Sequence, residues 1–126
     1  MMRPRSVDIL RFSARGIPFG VAADAVERLS QPGPDDPHLG KLLALWPLAR
    51  AGEQRALWIV HRGERMRVAV DGPIRFATVG PADVLPARPA LLRRLSPILA
   101  FVREEECIVS ILDVAGLLAR RPGMSK

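Results

Sequence analysis

A strict period of two constrains this chain more than any other feature of its sequence. Met66, Val68 and Val70 alternate with Arg65, Arg67 and Ala69. Successive side chains of a strand point to opposite faces, so this is the pattern of a strand with one buried face. Ala56–His61 reads as its partner, joined through the turn Arg62-Gly63-Glu64. The same hairpin plan occurs near both ends. Val7–Ser13, the turn Ala14-Arg15-Gly16 and Ile17–Ala22 form the first hairpin, with Gly16 suited to a positive φ. Pro18 has no N–H for a ladder and should face an edge. Ile98–Arg103 and Cys107–Leu112 form the last hairpin around Glu104-Glu105-Glu106. Asp71-Gly72-Pro73 reads as a break, with Asp71 in a turn bond, before a further strand at Ile74–Val79. Many short strands of this kind predict a mostly-β, barrel-like architecture.

Helices are brief. Asp24 is placed to cap a short helix around Ala25–Leu29, with Ala25, Val26 and Leu29 on one face. Gln31–Pro37 is a proline-punctuated loop. His38–Leu48 has Leu39, Leu42, Leu43 and Trp46 at helical spacing, ended by Pro47. Ala49–Arg55 is polar and turn-like. Pro81–Pro89 reads as a loop, and Ala90–Leu95 as one helical turn. Asp113 is placed to cap Val114–Arg121, with Val114, Leu117 and Leu118 inward and Arg120 and Arg121 favourably at the negative end. A chain of 126 residues fits one domain. Its ordered core is expected over 6–121, with frayed ends at 1–5 and 122–126.

The formal net charge of +6 raises a nucleic-acid reading: a basic β-barrel. Against it, the arginines are spread along the chain. The densest pairs, Arg93–Arg94 and Arg120–Arg121, are not basic tracts, and there is no Tyr to stack on bases. No apolar run approaches the roughly 20 residues that span a bilayer, so no membrane insertion is expected. Asp8 and Arg11 interrupt the first apolar stretch, which is not a signal-peptide core. The cytoplasm is therefore the expected compartment. One cysteine, Cys107, forms no internal disulfide and suits reducing surroundings.

Chemistry is sparse. Nothing in the sequence brings His38 and His61 together, and Asp35 or Asp36 would complete a metal site only weakly. Cys107 alternates with Val109 and Ile111 and reads as a buried small hydrophobe. Ser110 sits in no nucleophile elbow, and no glycine loop cradles a phosphate. Glu104–Glu106 read as a solvated hairpin tip. No catalytic residue, cofactor or metal is expected, and the chain is read as a non-enzyme.

Three segments, in order, resemble the CheW-like domain, the fold of the protein that couples bacterial chemoreceptors to their histidine kinase. The first runs from Ile9-Leu10-Arg11-Phe12 through Ile17-Pro18-Phe19-Gly20-Val21 to Ala25-Val26-Glu27-Arg28. The second is Leu57-Trp58-Ile59-Val60 through Met66 to Asp71-Gly72, followed by Val84-Leu85-Pro86 and Pro89. The third is Cys107–Asp113 through Leu117-Leu118. The resemblance implies two small intertwined β-barrel subdomains with short helices. It departs between Leu29 and Leu57, where the family's Asn-x-Arg-Gly hairpin is not found. One subdomain is therefore expected to be reduced.

What the resemblance further implies is a docking role without turnover. The family's receptor-facing positions match Val26 and Phe76, with Ile74 nearby, and Arg28 and Arg75 are placed to steer toward acidic receptor residues. The implied partner is the cytoplasmic signalling tip of a chemoreceptor, and other CheW-like proteins are further candidates. The missing hairpin implies weak or absent engagement of the kinase regulatory domain. It also leaves sheet edges open to homodimer pairing. The pattern is similar to the pared-down CheW-like proteins found beside fuller ones in the gliding-reversal (frizzy) pathways of myxobacteria.

Overall fold

The computed structural model describes residues 6–45, 53–86 and 97–120. Its strands are β1 (Val7–Ala14), β2 (Ile17–Ala22), β3 (Val26–Ser30), β4 (Gln54–His61), β5 (Glu64–Val79), β6 (Val84–Pro86), β7 (Ile98–Glu104) and β8 (Cys107–Leu112). Among the described residues there are also two short helices, α1 (Leu39–Leu42) and α2 (Val114–Ala119), and two 3-10 turns at Ala23–Ala25 and Pro81–Asp83. The strands form one 8-stranded sheet in the order β3-β4-β5-β1-β2-β8-β7-β6. Every named strand pair is antiparallel except β2 with β8.

The three expected hairpins form. Two of them turn on Arg-Gly dipeptides: Arg15 and Gly16 have φ of 55° and 83°, and Arg62 and Gly63 have 52° and 81°. Two successive positive φ values match the turn to the twist of the flanking strands, and glycine takes the second without a Cβ clash.

Besides Val84–Pro86, which pairs with β7 as a strand inside the segment expected as a loop, three expectations about local structure are corrected. Val26–Ser30 is a strand, not a helix. Val26, Arg28, Leu29 and Ser30 pair with Ile59, Trp58, Leu57 and Ala56 of β4. A single helical turn is marginal alone, and the ladder satisfies this backbone instead. Second, β5 does not stop at Asp71-Gly72-Pro73 but runs on to Val79, 16 residues in all from Glu64. Asp71 is where it changes partners, opposing Gln54 of β4 on one side and Ser13 of β1 on the other. Between Ser13↔Asp71 and Arg11↔Arg75 two steps of β1 face four of β5, and that bulge accommodates Gly72 and Pro73. Third, α1 ends well before Pro47. Leu45 N–H donates to Gly40 O at 2.8 Å and Ala44 N–H to Lys41 O at 3.1 Å, with Ala44 at φ 56°. This is the Schellman pattern, with alanine where glycine is usual. The readings placed on Trp46, Pro47, 49–52, 90–95, Arg121 and the frayed ends lie outside the described residues.

Two hydrophobic clusters form the core. The larger gathers Phe12, Phe19, Val21, Leu39, Leu57, Ile59, Met66, Val68, Val70, Leu112 and the inner face of α2. The smaller contains Ile9, Val79, Val102, Val109 and Ile111. Strand alternation divides them: Phe12 of β1 faces the first and Ile9 the second. β1, β5 and β8 thus serve both cores, which makes two intertwined subdomains around shared strands. Fully burying each Leu, Ile or Val contributes about 1.5–3 kcal/mol. Gly20 of β2 marks the joint, where a Cβ would lie 3.0 Å from Ile111 Cδ1 and 3.3 Å from Val109 Cγ1. In the described residues neither subdomain is closed by hydrogen bonds, since β3 and β6 remain edges.

Candidate protein-binding face

Phe76 is the most exposed large hydrophobic side chain among the described residues, at 64%. It lies in β5 opposite Leu10 of β1, and Ile74 follows on the same face two residues away. Leu10, Ile74, Ala25 and Val26 are partly buried at the margin of the larger cluster. The Ala23–Ala25 turn packs against both β1 and β4, which brings Val26 to that margin. Phe76 therefore projects from an apolar border whose base is fixed by the core. Its polar flank is Asp8 opposite Thr78, where the Thr78 hydroxyl donates to Asp8 Oδ1 at 2.8 Å.

The two arginines of the expected site point elsewhere. Arg75 alternates with Ile74 and Phe76 and so lies on the opposite face. There it stands opposite Arg11, a like-charge pair that would be unfavourable alone. The tip of the β7–β8 hairpin compensates. Arg11 donates to Glu104, and Arg75 lies 3.5 Å from Glu105 and 3.9 Å from Glu104. Glu104 is thus a clasp between hairpins, not part of a solvated tip. Arg28 pairs with Trp58 on the outer face of β3–β4–β5, its guanidinium 4.2 Å from the indole centroid. Of the expected residues, Val26 and Ile74 pack against the larger cluster, Phe76 projects from the same face of β5 as Ile74, and Arg28 and Arg75 lie on other faces.

Cys107 is exposed, against expectation. It pairs with Glu104 at the tip end of the β7–β8 hairpin, beyond the reach of the core that buries Val109. It helps to line a cleft of about 460 Å³ with Arg11, Pro18, Pro73 and Arg75.

A polar network that the sequence did not reveal joins the loop before α1 to β5. Asp71 is the one buried charged residue among those described, at 4% exposure. Arg15 N–H donates to its Oδ2 at 3.1 Å, and His38 Nε2 lies 3.0 Å from its Oδ1. Gly40 N–H donates to His38 Nδ1 at 3.0 Å, so Nε2 carries the imidazole proton and donates to Asp71. Asp71 is therefore a buried acceptor, not a turn residue. Nearby, Arg67 makes a bidentate pair with Asp36, at 2.7 Å for its shortest bond. Burial pushes the Asp36 carboxyl up, but hydrogen bonds from Arg67 and Gly33 N–H, with the Arg67 charge, outweigh it and hold it below its ordinary value. The same hydrogen bond raises Arg67. These pairs tie the 31–38 loop to the sheet. His61 lies at the end of β4 opposite Glu64 and takes no part. No group of three metal-ligating side chains occurs among the described residues.

Comparison with known proteins bears on the fold. No family model and no curated protein matches the sequence. Among solved structures, the chain is similar to the scaffolding protein TtCheW from Thermoanaerobacter tengcongensis, with a TM-score of 0.70 and 13% identity over 87% of this chain and 86% of that one. The fold is CheW-like: mostly β, in two subdomains built on shared strands. Among the described residues no helix is long and apolar enough to cross a membrane.

Proposed function

We propose that this chain is a non-enzymatic adaptor of a chemosensory array, which docks the cytoplasmic signalling tip of a chemoreceptor on the border formed by Phe76, Ile74 and Val26. The observation that carries the reading is Phe76, at 64% the most exposed of the large hydrophobic side chains among the described residues. A receptor tip is a helical coiled coil in the relatives this fold resembles. An apolar stripe on such a helix would bury Phe76 as an anchor, with Leu10, Ile74 and Val26 as the walls. TtCheW is itself a scaffolding protein, which accords with docking rather than turnover. Engagement of the kinase is weak or absent in this reading. Between β3 and β4 the described residues contain only the short helix α1, where the resemblance leads one to expect a hairpin. That reduction is what the pared-down proteins of gliding-reversal pathways share.

The nucleic-acid alternative gains little. Arg11, Arg65, Arg67 and Arg75 each have a carboxylate within 4 Å, so these four are already engaged and not free to gather phosphates.

Calorimetric titration of the purified protein tests the proposal, with a receptor signalling-tip fragment and, separately, the regulatory domain of the cognate histidine kinase. Heat with the tip and none with the kinase domain is the expected result. Binding to both removes the loss of coupling. Binding to neither removes the adaptor role.

A further inference from the structure

The outer face of β3–β4–β5 carries a second, separate surface. Trp58 of β4 lies between Arg28 of β3 and Arg67 of β5, its register partners on the two sides. The Arg28 guanidinium stands 4.2 Å from the indole centroid and that of Arg67 5.0 Å. The indole Nε1–H is spent on Ser30 Oγ at 3.0 Å, which fixes the ring. Arg67 is committed to Asp36, and Arg65 beside it lies 3.3 Å from Glu27. Arg28 alone in this row has no carboxylate partner among the described residues. It is exposed, and its guanidinium lies over a ring that a hydrogen bond holds in place.

We infer that Arg28, backed by Trp58, is a docking site for the carboxylates of an acidic segment of another protein chain. A stacked guanidinium keeps its planar N–H fork pointing outward and loses little freedom on binding. It suits the bidentate geometry of a carboxylate. Charge complementarity agrees: Arg65 and Arg67 of this face have their own carboxylates, and Arg28 is the cation of the row left to take one from a partner. Nucleic acid fits less well: two arginines already lie over the Trp58 ring, where a base would have to displace one to stack. This site goes beyond the receptor-binding proposal and stands apart from it. Arg28 lies outside the sheet region that faces the larger cluster, whereas Val26 packs against that cluster.

The test uses the full chain and three probes: a synthetic helical peptide with glutamates at i and i+4, the same peptide with glutamines, and a single-stranded DNA oligonucleotide. The Trp58 side-chain Nε1–H resonance reports on the site. The glutamate peptide is expected to shift it, and the glutamine peptide to leave it in place. Arg28→Gln should weaken the glutamate peptide about tenfold, the loss of one charge-assisted contact. Arg28→Lys, which keeps the charge but not the fork, should fall between. Phe76→Asp should leave this titration unchanged, so failure here is distinct from failure of receptor docking. The inference is overturned if Arg28→Gln binds the glutamate peptide as well as the native chain does. It is also overturned if Trp58 does not respond to that peptide, or if the oligonucleotide binds this face more tightly.

Discussion

His38 Nε2 and Asp71 Oδ1 lie 3.0 Å apart, joining the loop before α1 to the residue at which β5 passes from β4 to β1. The second oxygen of Asp71 receives Arg15 N–H from the first hairpin turn. One buried carboxylate thus gathers three segments that are distant in sequence. Removing it leaves two donors without an acceptor in a place that water barely reaches. Asp71→Ala should therefore destabilise the chain by about 2–4 kcal/mol. The midpoint of urea unfolding gives the value, and a change under about 0.5 kcal/mol would show that the network is slack.

Asp36 gives a pH dependence of known sign. Its folded-state carboxyl titrates below the ordinary value of 3.8 because the Arg67 pair and Gly33 N–H outweigh burial. A lowered folded value means stability that is present above about pH 4 and lost as the pH falls through the folded value. Asp36→Asn should be less stable than the native chain at neutral pH, and the gap should close on acidification. Thermal melts of both proteins from pH 7 down to pH 2.5 read this directly. A gap that stays constant to the acid limit contradicts it.

Ala44 ends α1 with φ at 56°, a conformation that costs an L-residue with a Cβ about 1–2 kcal/mol. Glycine escapes this at the expense of a more flexible unfolded chain. Ala44→Gly should raise stability by about 0.5–1 kcal/mol, seen as a higher denaturant midpoint at unchanged slope.

Gly20 tests how tightly the two subdomains are joined. Its missing side chain admits Ile111 and Val109 of β8 where β2 and β8 run parallel. Gly20→Val should cost about 1–3 kcal/mol by overpacking. A fully tolerated valine would show that the joint opens easily.

Much of the sheet was legible in the sequence because its information is local. Arg15-Gly16 and Arg62-Gly63 fix turns by themselves, and the alternation Met66, Val68, Val70 assigns a buried face. Val26–Ser30 was misread because its partner, Leu57-Trp58-Ile59, lies some thirty residues away, and only pairing decides between helix and strand there. The continuation of β5 through Pro73 was hidden for a similar reason: a bulge against β1 accepts what a proline in a regular strand would break. At the candidate site Phe76 was legible as an apolar residue with no obvious core role. Arg75 was misplaced, since period two sets it opposite Phe76, and its attraction to Glu104 and Glu105 is long-range. The His38–Asp71 contact and the stacking of Arg28 on Trp58 left no pattern at short range.

Receptor docking through Phe76 is the central claim, and one titration addresses it most directly. Native protein and Phe76→Asp are each titrated with the receptor-tip fragment, after melting curves establish that both are folded. Phe76 is mostly exposed, so the substitution should leave the melting temperature nearly unchanged. The account predicts that affinity falls by a factor of about 30 or more, as for loss of a hot-spot anchor worth about 2 kcal/mol. Equal affinity of the two proteins would contradict it and move the contact face away from β1 and β5.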